Sequence, residues 1–151
     1  MIRLRSAGFF FLATCFVLAV SCAGSNSSGS PDPSASPGDQ ATEGLPVVPQ
    51  SEFVDKTSLP EVTVMVKDNV YSPKYITVSP GTKVVFNNVG RNPHNVIPVQ
   101  KGAFEQIATD DLQPDEQDQV VFDEPGIYPY YCSLHGTPSK GMVGRVQVAE
   151  S

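Results

Sequence analysis

The chain has 151 residues, a formal net charge of -6, no tryptophan, 14 prolines and 12 glycines. An acidic chain repels phosphate backbones, which argues against nucleic acid as a partner. The proline content suits short strands and loops better than helices. Setting aside an N-terminal leader and a polar stretch after it leaves about 90 residues, enough for one small β-sandwich core.

In chain order, Met1-Ile-Arg-Leu-Arg5 is basic, and Gly8 to Val20 is apolar but too short for a comfortable membrane span. Residues 1–21 are therefore predicted to be a secretory signal peptide. Leu18-Ala-Val-Ser-Cys22 resembles a bacterial lipobox. The resemblance implies that the Cys22 thiol is acylated and becomes the new N-terminus; Ala19 departs from the commoner leucine. Loss of Arg3 and Arg5 with the leader takes the charge to -8, with 8 Lys and Arg against 16 Asp and Glu. Ala23 to Gly44 is rich in Ser, Gly, Pro, Asp and Asn. Such a stretch cannot offset its ordering entropy by burial, so it is predicted to be a flexible tether. Leu45 to Lys56 carries no decisive pattern and is grouped with it. The expected division is a signal peptide at 1–21, a linker at 22–56 and a folded domain at 57–151. The expected location is extracytoplasmic, on a bacterial cell envelope, held to the membrane by the lipid on Cys22.

From Leu59 the pattern changes to short β-type runs. Glu61 to Val66 alternates apolar and polar. Tyr75 to Val78 follows a Ser-Pro turn. Ser79-Pro-Gly-Thr82 is a turn, and Lys83 to Asn87 is the next strand. Asn95 to Val99 is a short strand interrupted by Pro98. Ala103 to Leu112 has room for a helical turn or two. Asp110-Asp111 and Asp115-Glu116-Gln-Asp118 read as a solvated acidic loop. Gln119 to Phe122 and Ile127 to Tyr131 are strands joined through Glu124-Pro-Gly126, and Val143 to Val148 closes the chain. This punctuation predicts an all-β fold, an antiparallel sandwich of roughly six to eight strands. Tyr128 has the setting of a tyrosine corner. Tyr130 shares strand parity with Cys132 and is predicted to point inward, whereas Tyr131 points the other way.

Of the three cysteines, Cys15 lies in the leader, Cys22 ends it, and Cys132 stands alone in the folded domain. An extracytoplasmic domain with one cysteine has no internal disulfide, so the thiol needs another explanation. It opens Cys132-Ser-Leu-His135-Gly-Thr-Pro-Ser-Lys-Gly-Met142, placed between the last two strands. The second of the chain's two histidines, His94, lies upstream in Asn87-Asn-Val-Gly-Arg-Asn-Pro-His-Asn95. A thiolate, two imidazoles and a weak thioether form a trigonal set with a long axial ligand, which suits copper cycling between its two oxidation states. All four positions are filled by protein. That leaves no open site for a substrate and favours an electron carrier over an enzyme. A copper oxidase or nitrite reductase needs further copper sites, and no histidine remains to build them.

The Pro-His-Asn at 93–95, the aromatic run Tyr-Pro-Tyr-Tyr before Cys132, the Cys-x-x-His pair and the Gly-Met at 141–142 together resemble the cupredoxins of the plastocyanin, amicyanin and azurin group. The resemblance covers Glu61 to Val148. It implies a Greek-key β-sandwich, one copper ion near one end, His94 as the buried ligand and His135 as the one nearest solvent. It also implies a monomer that exchanges electrons with redox partner proteins. Six residues separate His135 from Met142, more than in plastocyanin-like or amicyanin-like loops. That departure bears on the axial role of Met142. The alternative is a copper-binding lipoprotein for copper storage, delivery or resistance. Such proteins more often carry exposed Met- or His-rich motifs, which the tether lacks.

Overall fold

The structure, a computed structural model, describes Thr42 and residues 44–150. The expected signal peptide, Cys22 and most of the expected tether lie outside the described residues.

Among the described residues nine strands follow one another: β1 (Val54–Asp55), β2 (Glu61–Lys67), β3 (Val70–Ser72), β4 (Tyr75–Val78), β5 (Thr82–Asn88), β6 (Ile97–Pro98), β7 (Gln117–Phe122), β8 (Gly126–Thr137) and β9 (Lys140–Val148). They form two sheets, ordered β1-β4-β9-β8-β6 and β3-β2-β5-β7. Alternation decides which side chains fill the space between them. In β2, Val62, Val64 and Val66 are buried while their neighbours are exposed. Ile76 and Val78, Val84 and Phe86, Val120 and Phe122, and Val146 and Val148 add to this core from four other strands.

The expected sandwich is present, but its strand directions are mixed. β2 runs parallel to β5, β4 to β9, and β1 to β4; the other pairs are antiparallel. Period-two alternation reports which face is buried and carries no information about a neighbour's direction. Here the chain leaves the hairpin of β2 and β3, crosses to the other sheet as β4, and returns as β5 beside β2. The start of the fold also needs correction. Residues 50–55, expected in the linker, form a 3-10 turn at Gln50–Glu52 and the short strand β1, which pairs with β4. Phe53 packs on Tyr75 with ring centroids 5.5 Å apart. That apolar contact anchors a segment whose composition alone reads as polar.

Other expectations hold. The stretch 103–112 contains one 3-10 turn, Thr109–Asp111. Tyr128 donates its hydroxyl to the Glu124 carbonyl at 2.8 Å, closing the tyrosine corner. Tyr130 is buried and Tyr131 half-buried on the opposite face. Tyr130 meets Tyr71 and Phe86 edge-on, with centroids 4.9 and 5.3 Å away; each such pair contributes about 0.5–1.5 kcal/mol beyond its area. The ring lies over Gly144, its cross-strand partner, where a Cβ would sit 2.3 Å from Tyr130 Cζ.

Candidate metal centre

Strand register brings Cys132 and Met142 together. Tyr128 pairs with Val146, Tyr130 with Gly144 and Tyr131 with Val143. One step further, Cys132 and Met142 end the inward-facing rows of adjacent strands, and both are buried. The register then shifts, and pairing resumes as Gly136 with Gly141 and Thr137 with Lys140. Between the two paired stretches, residues 132–135 on β8 face the single residue 142 on β9. A bulge of this kind bends its strand and re-aims its side chains; within it Cys132 Sγ and His135 Nδ1 lie 3.5 Å apart. The long spacing is thereby explained. The segment expected to be a loop is a continuation of the hairpin, and residues 137–140 form its tip. Backbone approach is close there: a Cβ on Gly136 would lie 2.7 Å from the Met142 nitrogen, and one on Gly141 would lie 2.7 Å from the His135 carbonyl oxygen. Gly141 also has φ +84, which favours glycine.

His94 is delivered from the other sheet by the loop after β5, and polar side chains fix it. Asn88 is fully buried, and its Nδ2 donates to the carbonyls of Asn92 and Leu112, both at 2.9 Å. The His94 amide donates to the same Leu112 carbonyl at 3.2 Å. Asn95 ties this loop to β8. Its Oδ1 accepts from the Ser133 amide at 2.9 Å, and its Nδ2 donates to Ser133 Oγ at 2.9 Å and Thr109 Oγ1 at 3.0 Å. Its carbonyl accepts the Tyr71 hydroxyl at 2.6 Å. Burial pushes the Tyr71 phenol far above its ordinary pKa, with Cys132 and Tyr130 adding to the shift, so it stays neutral beside the thiol.

His94 Nδ1 lies 3.7 Å and His135 Nδ1 3.5 Å from Cys132 Sγ. The three donor atoms fall within 4.8 Å of one another. Bonds of roughly 2.0–2.3 Å from one first-row metal to nitrogen and sulfur, opened to about 120°, separate the donors by roughly 3.5–3.8 Å. The residues present therefore fit a trigonal ion. Cys132 is a free, buried thiol. His94 is wholly buried and His135 half-buried, in the order of exposure that the resemblance implied. Burial, reinforced by the neighbouring His135, lowers the His94 pKa below 6.5. Its ring thus stays neutral at neutral pH and keeps a lone pair for a metal. His94 Nε2 is buried with no partner among the described residues, whereas a ligating imidazole commonly donates that N–H to an acceptor. Of the residues singled out in the sequence, His94, Cys132 and His135 are brought together and Met142 is buried on the neighbouring strand; sequence reasoning missed Asn88 and Ser133. Asn88 had a signal: it follows Val84 and Phe86 at inward parity, where an amide must find partners.

Residues 60–149 match the family described as copper binding proteins, plastocyanin/azurin family. Plastocyanin from Lactuca sativa is 36% identical over 52% of this chain and 87% of its own length. Of the chloroplastic plastocyanin major isoform from Arabidopsis thaliana, the chain spans about half, 51% of its length, at 32% identity over 52% of this chain. Amicyanin from Paracoccus versutus superposes with a TM-score of 0.50 at 27% identity, covering 59% of this chain and 81% of that one. A copper-containing nitrite reductase from Thermus scotoductus SA-01 superposes with a TM-score of 0.51 at 29% identity, but over only 23% of its length against 60% of this chain. The donor set suits one copper ion, and the chain belongs to the plastocyanin/azurin family of copper-binding proteins.

Proposed function

We propose that His94, Cys132, His135 and Met142 hold a single type 1 copper ion and that the chain is a one-electron carrier, not an enzyme. The observation that carries this reading is the convergence of two imidazole nitrogens on a buried thiol at 3.5 and 3.7 Å. Copper supplies the one-electron couple. The protein holds the donors on strands and hydrogen-bonded loops, so that little rearranges when the charge changes. Cys132 and Met142 supply soft sulfur, which favours Cu(I), and the imidazoles accommodate both states. Cys132, His94 and Met142 are buried, and His135, half-buried, is the member of the set that reaches solvent. Electrons exchange with partner proteins through that end. Both histidines of the chain are used here, so no imidazole remains for a second, substrate-converting copper.

The chain acts as a monomer on the extracytoplasmic face of a bacterial membrane, tethered through lipid on Cys22. The basic and apolar leader, the lipobox-like residues and the polar stretch after them support this. Voltammetry of the copper-loaded protein tests the carrier role. A reversible one-electron wave with copper retained through repeated cycles is expected. Loss of copper on reduction would instead point to storage or delivery.

A further inference from the structure

Beside the hairpin of β8 and β9 lies a cavity of about 180 Å³. Its walls include Lys74, Tyr75, Ser139, Lys140, Gly141 and Arg145, and no carboxylate. Apart from Arg3 and Arg5 of the expected leader, the chain has eight Lys and Arg residues against 16 Asp and Glu. Three of those eight cations thus gather around one small space. Arg145 is the anchor. It is 9% exposed, and the carbonyl of Pro46 takes one of its Nη2 hydrogens. A guanidinium has five N–H donors, and no other side-chain hydrogen bond or ion pair occupies them among the described residues. Arginine is rarely buried without a partner of opposite charge. Burial lowers its pKa, and Tyr75 only partly offsets the effect. Strand pairing fixes the cluster: Tyr75 pairs with Arg145, whose amide donates to the Lys74 carbonyl at 3.1 Å. The Lys74 ammonium sits 5.1 Å from the Tyr75 ring centroid, which holds it at the rim by a cation–π contact. Lys140 comes from the hairpin tip opposite.

We propose that this cavity binds a small oxyanion, such as phosphate, sulfate or a compact carboxylate, with Arg145 as the buried fork and Lys74 and Lys140 closing the rim. The guanidinium fork matches two oxygens of such a group, and the ammonium groups add point charges. The space is large enough for a tetrahedral anion with part of its hydration.

The test is a titration of the isotopically labelled full chain with inorganic phosphate, sulfate and malonate, followed by backbone amide shifts. Chloride at matched ionic strength is the control. Saturable shifts confined to residues 74–75 and 139–145 are expected with at least one oxyanion and not with chloride, and the ranking of the three identifies the preferred class. Arg145→Gln should abolish saturation. Because that variant also loses the Pro46 contact, the exposed pair Lys74→Gln/Lys140→Gln serves as the second arm. It should weaken binding at least about tenfold, through lost charge-assisted contacts, with an unchanged melting temperature. Shifts that never saturate, an equal response to chloride, or full affinity in the double lysine variant would overturn the proposal.

Discussion

The hairpin of β8 and β9 and the loop after β5 bring donors to the same point by different means. In the hairpin the backbone does the placing. Tyr131 pairs with Val143 below the donors and Gly136 with Gly141 above them. Cys132, His135 and Met142 are caught between two stretches of ladder. In the loop the strand ends at Asn88, and side chains take over. Asn88 holds the Asn92 and Leu112 carbonyls, and Asn95 reaches across to Ser133. A donor placed by register fails only when the strands unpair. A donor placed by a few buried amides fails one hydrogen bond at a time. The two halves of the site should therefore break differently.

The largest effect is expected from Gly144→Ala in the hairpin. Its Cβ would meet the Tyr130 ring at 2.3 Å, and Tyr130 is locked between Tyr71 and Phe86. Overpacking of this kind costs about 3 kcal/mol, at the upper end of its usual range, because backbone and ring must both shift. Chemical denaturation should show that loss as one cooperative transition. Asn88→Ala attacks the loop and should cost about 1–2 kcal/mol, since the Leu112 carbonyl keeps only the His94 amide and the Asn92 carbonyl loses its donor. Amide shifts should move around residues 88–95 and 109–113 while the hairpin keeps its pattern; a uniform disturbance would erase the distinction between the halves. Asn95→Ala should leave the fold intact and weaken copper binding by about 10- to 100-fold, the usual effect of losing a group that orients ligands. A competition titration with a chelator measures it. The smallest effect concerns pH in the metal-free protein. The folded His94 pKa lies below the 6.5 of an exposed histidine. Below about 6.5 the unfolded chain takes up a proton that the folded chain refuses, so stability falls as pH drops through that region and is unaffected above it. A His94→Gln variant should flatten that part of the stability–pH curve.

Much of this arrangement was legible in the residues. Alternation in Glu61–Val66 and around Tyr130 and Cys132 gave the inward faces, and Gly-Pro punctuation gave the strand ends. The gathering of His94, Cys132 and His135 was foreshadowed by the Pro-His-Asn at 93–95 and the Cys-x-x-His pair at 132 and 135. What stayed hidden depends on partners far away in sequence. The parallel pairing of β2 with β5 is set by a crossover between sheets, which no local pattern encodes. Residues 50–55 read as linker because a two-residue strand and one Phe53–Tyr75 contact leave almost no periodic signal. The six residues between His135 and Met142 read as a loop. Their hairpin depends on the close approach of Gly136 and Gly141, visible only once the strands are paired. Arg145 shows the same limit, since its lack of a counter-charge is a property of the folded neighbourhood.

The central claim is that the Cys132 thiolate is bound to copper, held in a trigonal set with two imidazoles. The most direct test is the visible and electron-paramagnetic-resonance spectrum of the copper-loaded protein beside that of Cys132→Ser. The wild type should be intensely coloured by thiolate-to-copper charge transfer, with a small copper hyperfine splitting. The serine variant should stay folded and lose that band entirely. A colourless wild type with full copper occupancy, or a serine variant with the same spectrum, would contradict the account.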